Sequence, residues 1–189
     1  MNRDYFVPIH VKPYVYRWLI KNFLVKVEGL KDAVSFKRNF ELKSLLLALL
    51  SNKPYFAETH KKEVKNKHKN KVVYIYTGQN AYDHSACCLT YTAETLLANH
   101  LESMIKQDLI NYVTFMYIVE PQLSALVERY KQMKGYSEDD WPTLSMLKII
   151  NRKNVKQIRD KAREHFLELS DKFYTTQVSN KYNRKKENG

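Results

Sequence analysis

The chain has 189 residues, is 44% hydrophobic and carries a formal net charge of +12. This apolar content supports a folded core of one domain, or of one domain with an appended arm, and excludes a chain that is disordered throughout. No apolar run approaches the roughly 18 residues of a membrane-spanning helix, and the N-terminus lacks the apolar region of a secretory leader, so we expect a soluble cytoplasmic protein.

The first 56 residues follow a strand, helix, strand, helix pattern. Residues 5–11 alternate in the manner of a strand, in which Pro8 suits only an edge strand or a bulge. Pro13 fits the first turn of the helix that follows. After a second short strand, Asn39 is placed to cap a leucine-rich helix. These signals predict a small strand and helix unit at the N-terminus.

Residues 57–71 are almost devoid of apolar side chains and predict a solvated loop. Within them, residues 61–71 hold six lysines and one glutamate, and we call this segment the Lys-rich loop. Such a loop can lie along a phosphate backbone as a hairpin wing, or it can be an ordinary flexible surface loop, and the composition favours neither. The strand predicted at 72–76 places Tyr74 and Tyr76 on one face. They are candidates for base stacking, although packing of the sheet against helices is the more favoured interpretation.

The middle of the chain is predicted to be helical. Thr92 is placed to cap a long helix, which should end by Glu120 because the residue before a proline is biased out of the helical conformation. A second helix follows Pro121 and ends at Gly135. After a turn at 137–141 a third helix begins, so the last two helices form a helix-turn-helix-like hairpin with an unusually long turn.

Residues 142–174 combine an apolar stripe with a cationic one, each with members three or four positions apart, as a helix requires. We expect this segment to be predominantly helical, with Ile158, Phe166 and Leu169 buried. The cations of the second stripe form what we call the basic ridge: Lys148, Arg152, Lys156, Arg159 and Arg163.

Three acidic residues, Glu138, Asp139 and Asp140, precede the third helix of the hairpin. Carboxylates at the start of a recognition helix would repel phosphates. If the hairpin binds DNA, we therefore expect the contact to come from Arg152 to Arg163, with the acidic turn facing away.

The positive charge is concentrated in three segments. Residues 148–163 carry a net charge of +6, residues 61–71 carry +5 and residues 181–187 carry +3, which leaves −2 for the rest. This distribution favours a polyanionic partner over a simple solvated surface, and nucleic acid is the commonest such partner of a soluble chain. The candidate contacts are Lys148, Arg152, Lys153, Lys156, Arg159 and Arg163 near the C-terminus, and Lys65, Lys67, Lys69 and Lys71 in the Lys-rich loop.

Motifs for catalysis are missing from the sequence. It has no phosphate-binding glycine loop and no H-E-x-x-H motif, and it has only four glycines. His84, Cys87 and Cys88 resemble a metal cluster, but adjacent cysteines chelate poorly and rarely form a disulfide. We expect no catalytic residues, no metal site and no cofactor.

The sequence therefore predicts an α+β, mainly helical protein in which a short sheet packs with a C-terminal helical bundle. The predicted segments are an N-terminal unit at 1–56, a basic loop at 57–71, a strand and helical region at 72–177 that forms one compact domain with the first, and a disordered basic tail at 178–189.

The expected function is non-enzymatic binding of nucleic acid, DNA more than RNA, without a membrane partner. The Lys-, Asn- and Tyr-rich, Gly-poor composition suits an AT-rich genome, such as that of a phage or mobile element. Two alternatives stay open. One is a helical assembly protein that binds itself or an acidic partner, and the other is a nucleic-acid-processing enzyme in which acids such as Asp83 and Glu94 converge on a metal.

Overall fold

The computed structural model describes residues 6–51, 70–77, 88–152 and 155–187, and it confirms an α+β, mainly helical fold. Contacts within the chain divide it into two units. Unit 1 comprises Met1–Ile105 and Tyr136–Trp141, and unit 2 comprises Lys106–Gly135 and Pro142–Gly189. The elements, in chain order, are β1 (Phe6–Val11), α1 (Pro13–Phe23), β2 (Ala33–Val34), α2 (Phe40–Leu49), β3 (Leu50–Ser51), β4 (Lys71–Tyr76), β5 (Cys88–Leu89), α3 (Tyr91–Met116), α4 (Leu123–Lys134), α5 (Thr143–Arg152) and α6 (Val155–Glu187).

Unit 1 is built on a three-stranded sheet with the order β1, β4, β2. Strand β4 lies in the centre, antiparallel to β1 and parallel to β2. Pro8 lies in β1, which is an edge strand of the sheet, as the sequence predicts. Ile9 pairs with Val73, and both side chains are buried on the face that forms the core. Strands β3 and β5 form a separate two-stranded ladder.

Local signals place the first two helices. Pro13 occupies the first turn of α1, which buries Val15 and Leu19. The side-chain oxygen of Asn39 accepts a hydrogen bond from the backbone N–H of Leu42 at 3.0 Å, which confirms Asn39 as the N-cap of α2.

Three aromatic rings join distant parts of the chain in the core of unit 1. Tyr14 stacks on Trp141, with ring centroids 4.2 Å apart and an interplanar angle of 13°, and Tyr136 meets Trp141 edge-on at 5.5 Å. Burial, followed by the nearby carboxylate of Glu102, raises the pKa of the Tyr14 phenol. The turn that contains Trp141 is thus a structural part of unit 1.

Unit 2 contains the C-terminal part of α3 with α4, α5 and α6. Gly135 adopts a left-handed conformation (φ 75°) and ends α4, as predicted. The ammonium group of the buried Lys131 donates to the Thr143 hydroxyl at 2.9 Å, which ties the end of α4 to the start of α5. The hydroxyl of Tyr130 donates to the Asp108 carboxylate at 2.7 Å and ties α4 to α3.

Helix α3 begins two residues earlier than the sequence predicts. Its cap is Thr90, whose hydroxyl accepts the Ala93 N–H at 3.2 Å, and not Thr92. Helix α3 ends at Met116, and thus before Glu120, as the sequence predicts. Two threonines two positions apart offer alternative caps, and the sequence pattern alone does not choose between them.

The segment 142–174 is predominantly helical, as predicted, but two helices cover it, with residues 153–154 outside the described ranges. Ile158 is buried, whereas the prediction that Phe166 and Leu169 are buried is wrong: they are 54% and 52% exposed. The three-four spacing identifies which face of α6 is apolar. It does not say whether another element covers that face, and no described side chain from 163 to 172 is buried.

A further difference concerns the C-terminal end of α6. Helix α6 continues to Glu187, through most of the segment predicted as a disordered tail. Its Lys, Arg and Glu residues are good helix formers, and extending a helix costs little once it has begun. The two units divide inside α3, after Ile105. Within the described ranges, no helix has both the length and the apolar character needed to cross a membrane.

Candidate nucleic-acid interface

The basic ridge spans two helices of unit 2. Lys148 and Arg152 lie one turn apart on α5, and Lys156, Arg159 and Arg163 follow on α6. All five side chains are exposed. Lys153 lies outside the described residues.

Burial on the opposite faces explains why the cations point outward. Met146 and Ile150 are the buried residues of α5, and Ile158 and Ala162 are buried at the start of α6. Each pair is spaced four residues apart, so one face of each helix is committed to the core of unit 2. The ridge cations lie outside these two buried faces and are consequently exposed to solvent.

Arg159 has a fixed partner within unit 2. Its Nε donates to the hydroxyl of Tyr117 at 2.9 Å, and its guanidinium carbon lies 5.8 Å from the Tyr117 ring centroid. This combination of a hydrogen bond and a cation–π contact restricts the side chain and anchors α6 to the chain after α3. The guanidinium has five N–H donors, so it still has donors for a phosphate.

Three ridge cations have no ion-pair partner among the described residues. They are Lys148, Arg152 and Arg163.

The basic segment of α6 ends after Arg163, since residues 164–172 hold three acids and one lysine. On α6, the cationic part from Lys156 to Arg163 is about 10 Å long at 1.5 Å per residue. This length equals roughly three phosphate spacings of one strand, at 3.4 Å each along the duplex axis.

The other candidate contacts are only partly described, and they belong to unit 1. Lys65, Lys67 and Lys69 lie outside the described residues, whereas Lys71 is exposed at the start of β4. Tyr74 and Tyr76 lie on the same face of β4 and are half-buried.

Tyr76 has a packing role in the sheet. Its ring contacts Phe6 at a centroid distance of 5.2 Å, and the two residues are register partners across β1 and β4. This contact supports sheet packing as the role of Tyr76, over base stacking.

The predicted hairpin corresponds to α4 and α5, which pack against each other. Residues 135–142 connect them, a longer link than the three or four residues typical of a helix-turn-helix. The acidic turn is internally bonded: the Asp140 carboxylate accepts the backbone N–H of Ser137 at 3.0 Å and its hydroxyl at 2.8 Å. These hydrogen bonds within the turn account for an acidic residue at position 140 without a bound ligand.

The residues considered for metal chemistry do not converge in the described part of the chain. No group of three His, Cys, Asp or Glu side chains suited to a metal ion occurs there. Glu94 is already engaged, because its Oε1 accepts from the backbone N–H of His10 at 2.7 Å and lies 2.8 Å from His10 Nδ1. Asp83, His84 and Cys87 lie outside the described residues.

Sequence reasoning does not identify Tyr117 as part of this site. It lies 42 positions from Arg159, and no motif links the two residues.

Comparison with known proteins assigns no relatives: no family model, no curated protein and no solved structure matches this chain.

Proposed function

We propose that this protein binds nucleic acid without catalysing a reaction, and that it contacts duplex DNA through the basic ridge, assisted by the Lys-rich loop. The observation that carries the proposal is the row of exposed cations on α5 and α6, of which Lys148, Arg152 and Arg163 form no ion pair with a described residue. Phosphates are the partners that such a row fits best, because neutralising them releases the counterions of DNA.

Duplex DNA is favoured over a flexible strand by the form of the ridge. Its cations are held on helices, and a helix presents them at fixed spacing to a regular phosphate backbone. The helix-turn-helix-like hairpin of α4 and α5 would dock through its C-terminal side, since three acids precede α5. The Lys-, Asn- and Tyr-rich, Gly-poor composition suits an AT-rich genome, and we propose that the protein comes from a phage or mobile element.

The proposal is tested by measuring affinity for duplex DNA, single-stranded DNA and RNA over a series of salt concentrations. Five phosphate contacts on duplex DNA should give a slope of log K against log salt of roughly −4 to −5. Fluorescence anisotropy with labelled oligonucleotides measures this slope directly. No binding to duplex DNA at low salt, where even non-specific binding is strong, would contradict the proposal.

A second candidate function, protein assembly, is favoured by a different observation. Phe166 and Leu169 on α6 are three positions apart, and so on one face of the helix, and they are 54% and 52% exposed; we call them the apolar patch. Contiguous exposed apolar residues commonly mark surfaces that another protein covers. The partner would be a second copy of the chain or a protein with an acidic surface that meets the cations of α6.

Sedimentation of the patch variant tests self-assembly. If the chain assembles, the wild type should sediment above the monomer mass of 22.5 kDa, and the double variant F166Q/L169Q should return to it. Folding stability should change little, because both side chains are already half in water. The matched control is Leu144→Gln, which removes an exposed leucine of α5. A wild type that sediments as a monomer at all concentrations would contradict self-assembly.

A further inference from the structure

A second candidate site lies in unit 2, where the C-terminal part of α3 and the first half of α6 enclose a groove of about 510 Å³. This volume falls within the roughly 300 to 1,000 Å³ of small-molecule sites. The side chains that the argument uses are Gln107, Asn111 and Phe115 from α3, and Gln157, Lys161 and His165 from α6.

Three of the nine described residues that line the groove carry amide side chains. Gln107 Nε2 donates to Asn111 Oδ1 at 2.8 Å, which aligns the two amides along α3. In either orientation of the two groups, this pair leaves one carbonyl oxygen and one NH₂ group for a ligand. Gln157 supplies a third amide from α6. Such paired donors and acceptors match the hydrogen-bonding edge of a nucleobase.

The groove also offers an aromatic surface and a cation. Phe115 is 57% exposed, and no ring contact ties it to another described aromatic residue. Lys161 is exposed and forms no ion pair with a described residue, whereas His165 Nδ1 lies 3.7 Å from Glu168 Oε2. None of the described residues that line the groove carries a carboxylate. The lining therefore favours a ligand that is both planar and anionic.

We propose that this groove binds a nucleotide, with its base stacked on Phe115, the edge of the base hydrogen-bonded to the Gln107 and Asn111 amides, and its phosphate held by Lys161. Aromatic stacking and a cation are the two components with which proteins bind unpaired nucleotides. The nucleotide can be a free molecule or one unit of a single strand, and the same chemistry serves both.

The groove is separate from the basic ridge. At about 100° per residue, Arg159 and Arg163 each lie roughly 200° around α6 from Lys161. They therefore occupy the other flank of the helix, and Arg159 faces Tyr117 there. The inference does not rest on the proposed binding of duplex DNA.

Calorimetric titration of the full chain tests the proposal with the four nucleoside monophosphates and with a single-stranded 12-mer of mixed sequence. We expect saturable binding that weakens at least about fivefold in Phe115→Leu, which removes the stacking surface, and in Lys161→Gln, which removes the cation. Phe40→Leu and Lys43→Gln are the matched controls, because both residues are exposed on α2 in unit 1, and they should leave the affinity unchanged. In the variant R152Q/R163Q, a 12-mer that binds much more tightly than the nucleotides identifies a strand as the ligand of the groove, and equal affinity identifies a free nucleotide.

Two further probes can overturn the proposal. Pyrophosphate and poly-glutamate carry negative charge without a base, so either one binding as tightly as the nucleotides would show that the groove does not read a base. Binding unchanged in both groove variants, or no saturable binding at millimolar nucleotide, would equally refute it. The variant R152Q/R163Q should keep nucleotide binding whether or not the chain binds duplex DNA, which separates the two proposals.

Discussion

Binding of duplex DNA should collapse when Arg152, Lys156, Arg159 and Arg163 are all replaced by Gln. Each phosphate contact contributes about −0.9 to the slope of log K against log salt, so losing four of five contacts should reduce a slope near −4.5 to about −0.9. Gln resembles Arg and Lys in helix propensity, so α5 and α6 should remain folded. Anisotropy titrations over a salt series measure both the affinity and the slope.

Folding stability provides the control for this variant. Arg152 and Arg163 are exposed and form no ion pair with a described residue, and Lys156 is also exposed. Exposed charges contribute about 0 to 1 kcal/mol each to folding stability. Arg159 is the exception, because it donates to Tyr117 at 2.9 Å. The single variant Tyr117→Phe removes that hydroxyl and leaves every ridge charge in place. It should cost about 0.5 to 1.5 kcal/mol of stability and should leave the salt slope unchanged.

A comparison with the Lys-rich loop ranks the two basic segments. Neutralising Lys65, Lys67, Lys69 and Lys71 should weaken binding less than neutralising the ridge, because the composition of 57–71 predicts a solvated loop, and such a loop loses conformational entropy when it docks. Helical side chains on α5 and α6 are already positioned. Loss of binding in the loop variant, with binding retained in the ridge variant, would show that the ridge does not organise the interface.

The features predicted correctly from the sequence depend on neighbouring residues. Asn39 caps α2 because its own side chain reaches a backbone N–H three positions later, and Gly135 ends α4 because its backbone accepts a left-handed conformation. Pro8 is restricted to an edge strand by the absence of its N–H. Each of these effects is set within a few residues, so the sequence carries the whole of the relevant information.

The features that the sequence did not predict depend on distant residues. Phe166 belongs to an apolar stripe by spacing, but its burial requires another element, and none of the described residues covers it. Arg159 is fixed by Tyr117 across 42 positions, and the amides of the α3 and α6 groove are brought together by packing alone. Helical periodicity assigns a residue to a face and leaves the neighbour of that face undetermined.

The largest effect on stability is expected from Trp141→Ala. Trp141 is 2% exposed, stacks on Tyr14 at 4.2 Å and meets the edge of Tyr136 at 5.5 Å, so its removal leaves a cavity between two large rings in the core of unit 1. Replacing a buried aromatic residue with alanine costs about 3 to 5 kcal/mol, a large fraction of the roughly 5 to 15 kcal/mol that stabilises a typical domain. Urea unfolding followed by circular dichroism measures the loss.

Trp18→Ala is the matched control for this prediction. Trp18 is only half-buried on α1 and meets Phe23 edge-on at 5.2 Å, so the surrounding side chains lose less contact when it is removed. We expect a loss of stability clearly smaller than that of Trp141→Ala, because less apolar area returns to water. Equal losses in the two variants, or a loss below about 1 kcal/mol for Trp141→Ala, would show that the turn at 136–141 is not part of the core of unit 1, since mutations away from such features rarely exceed about 0.5 kcal/mol.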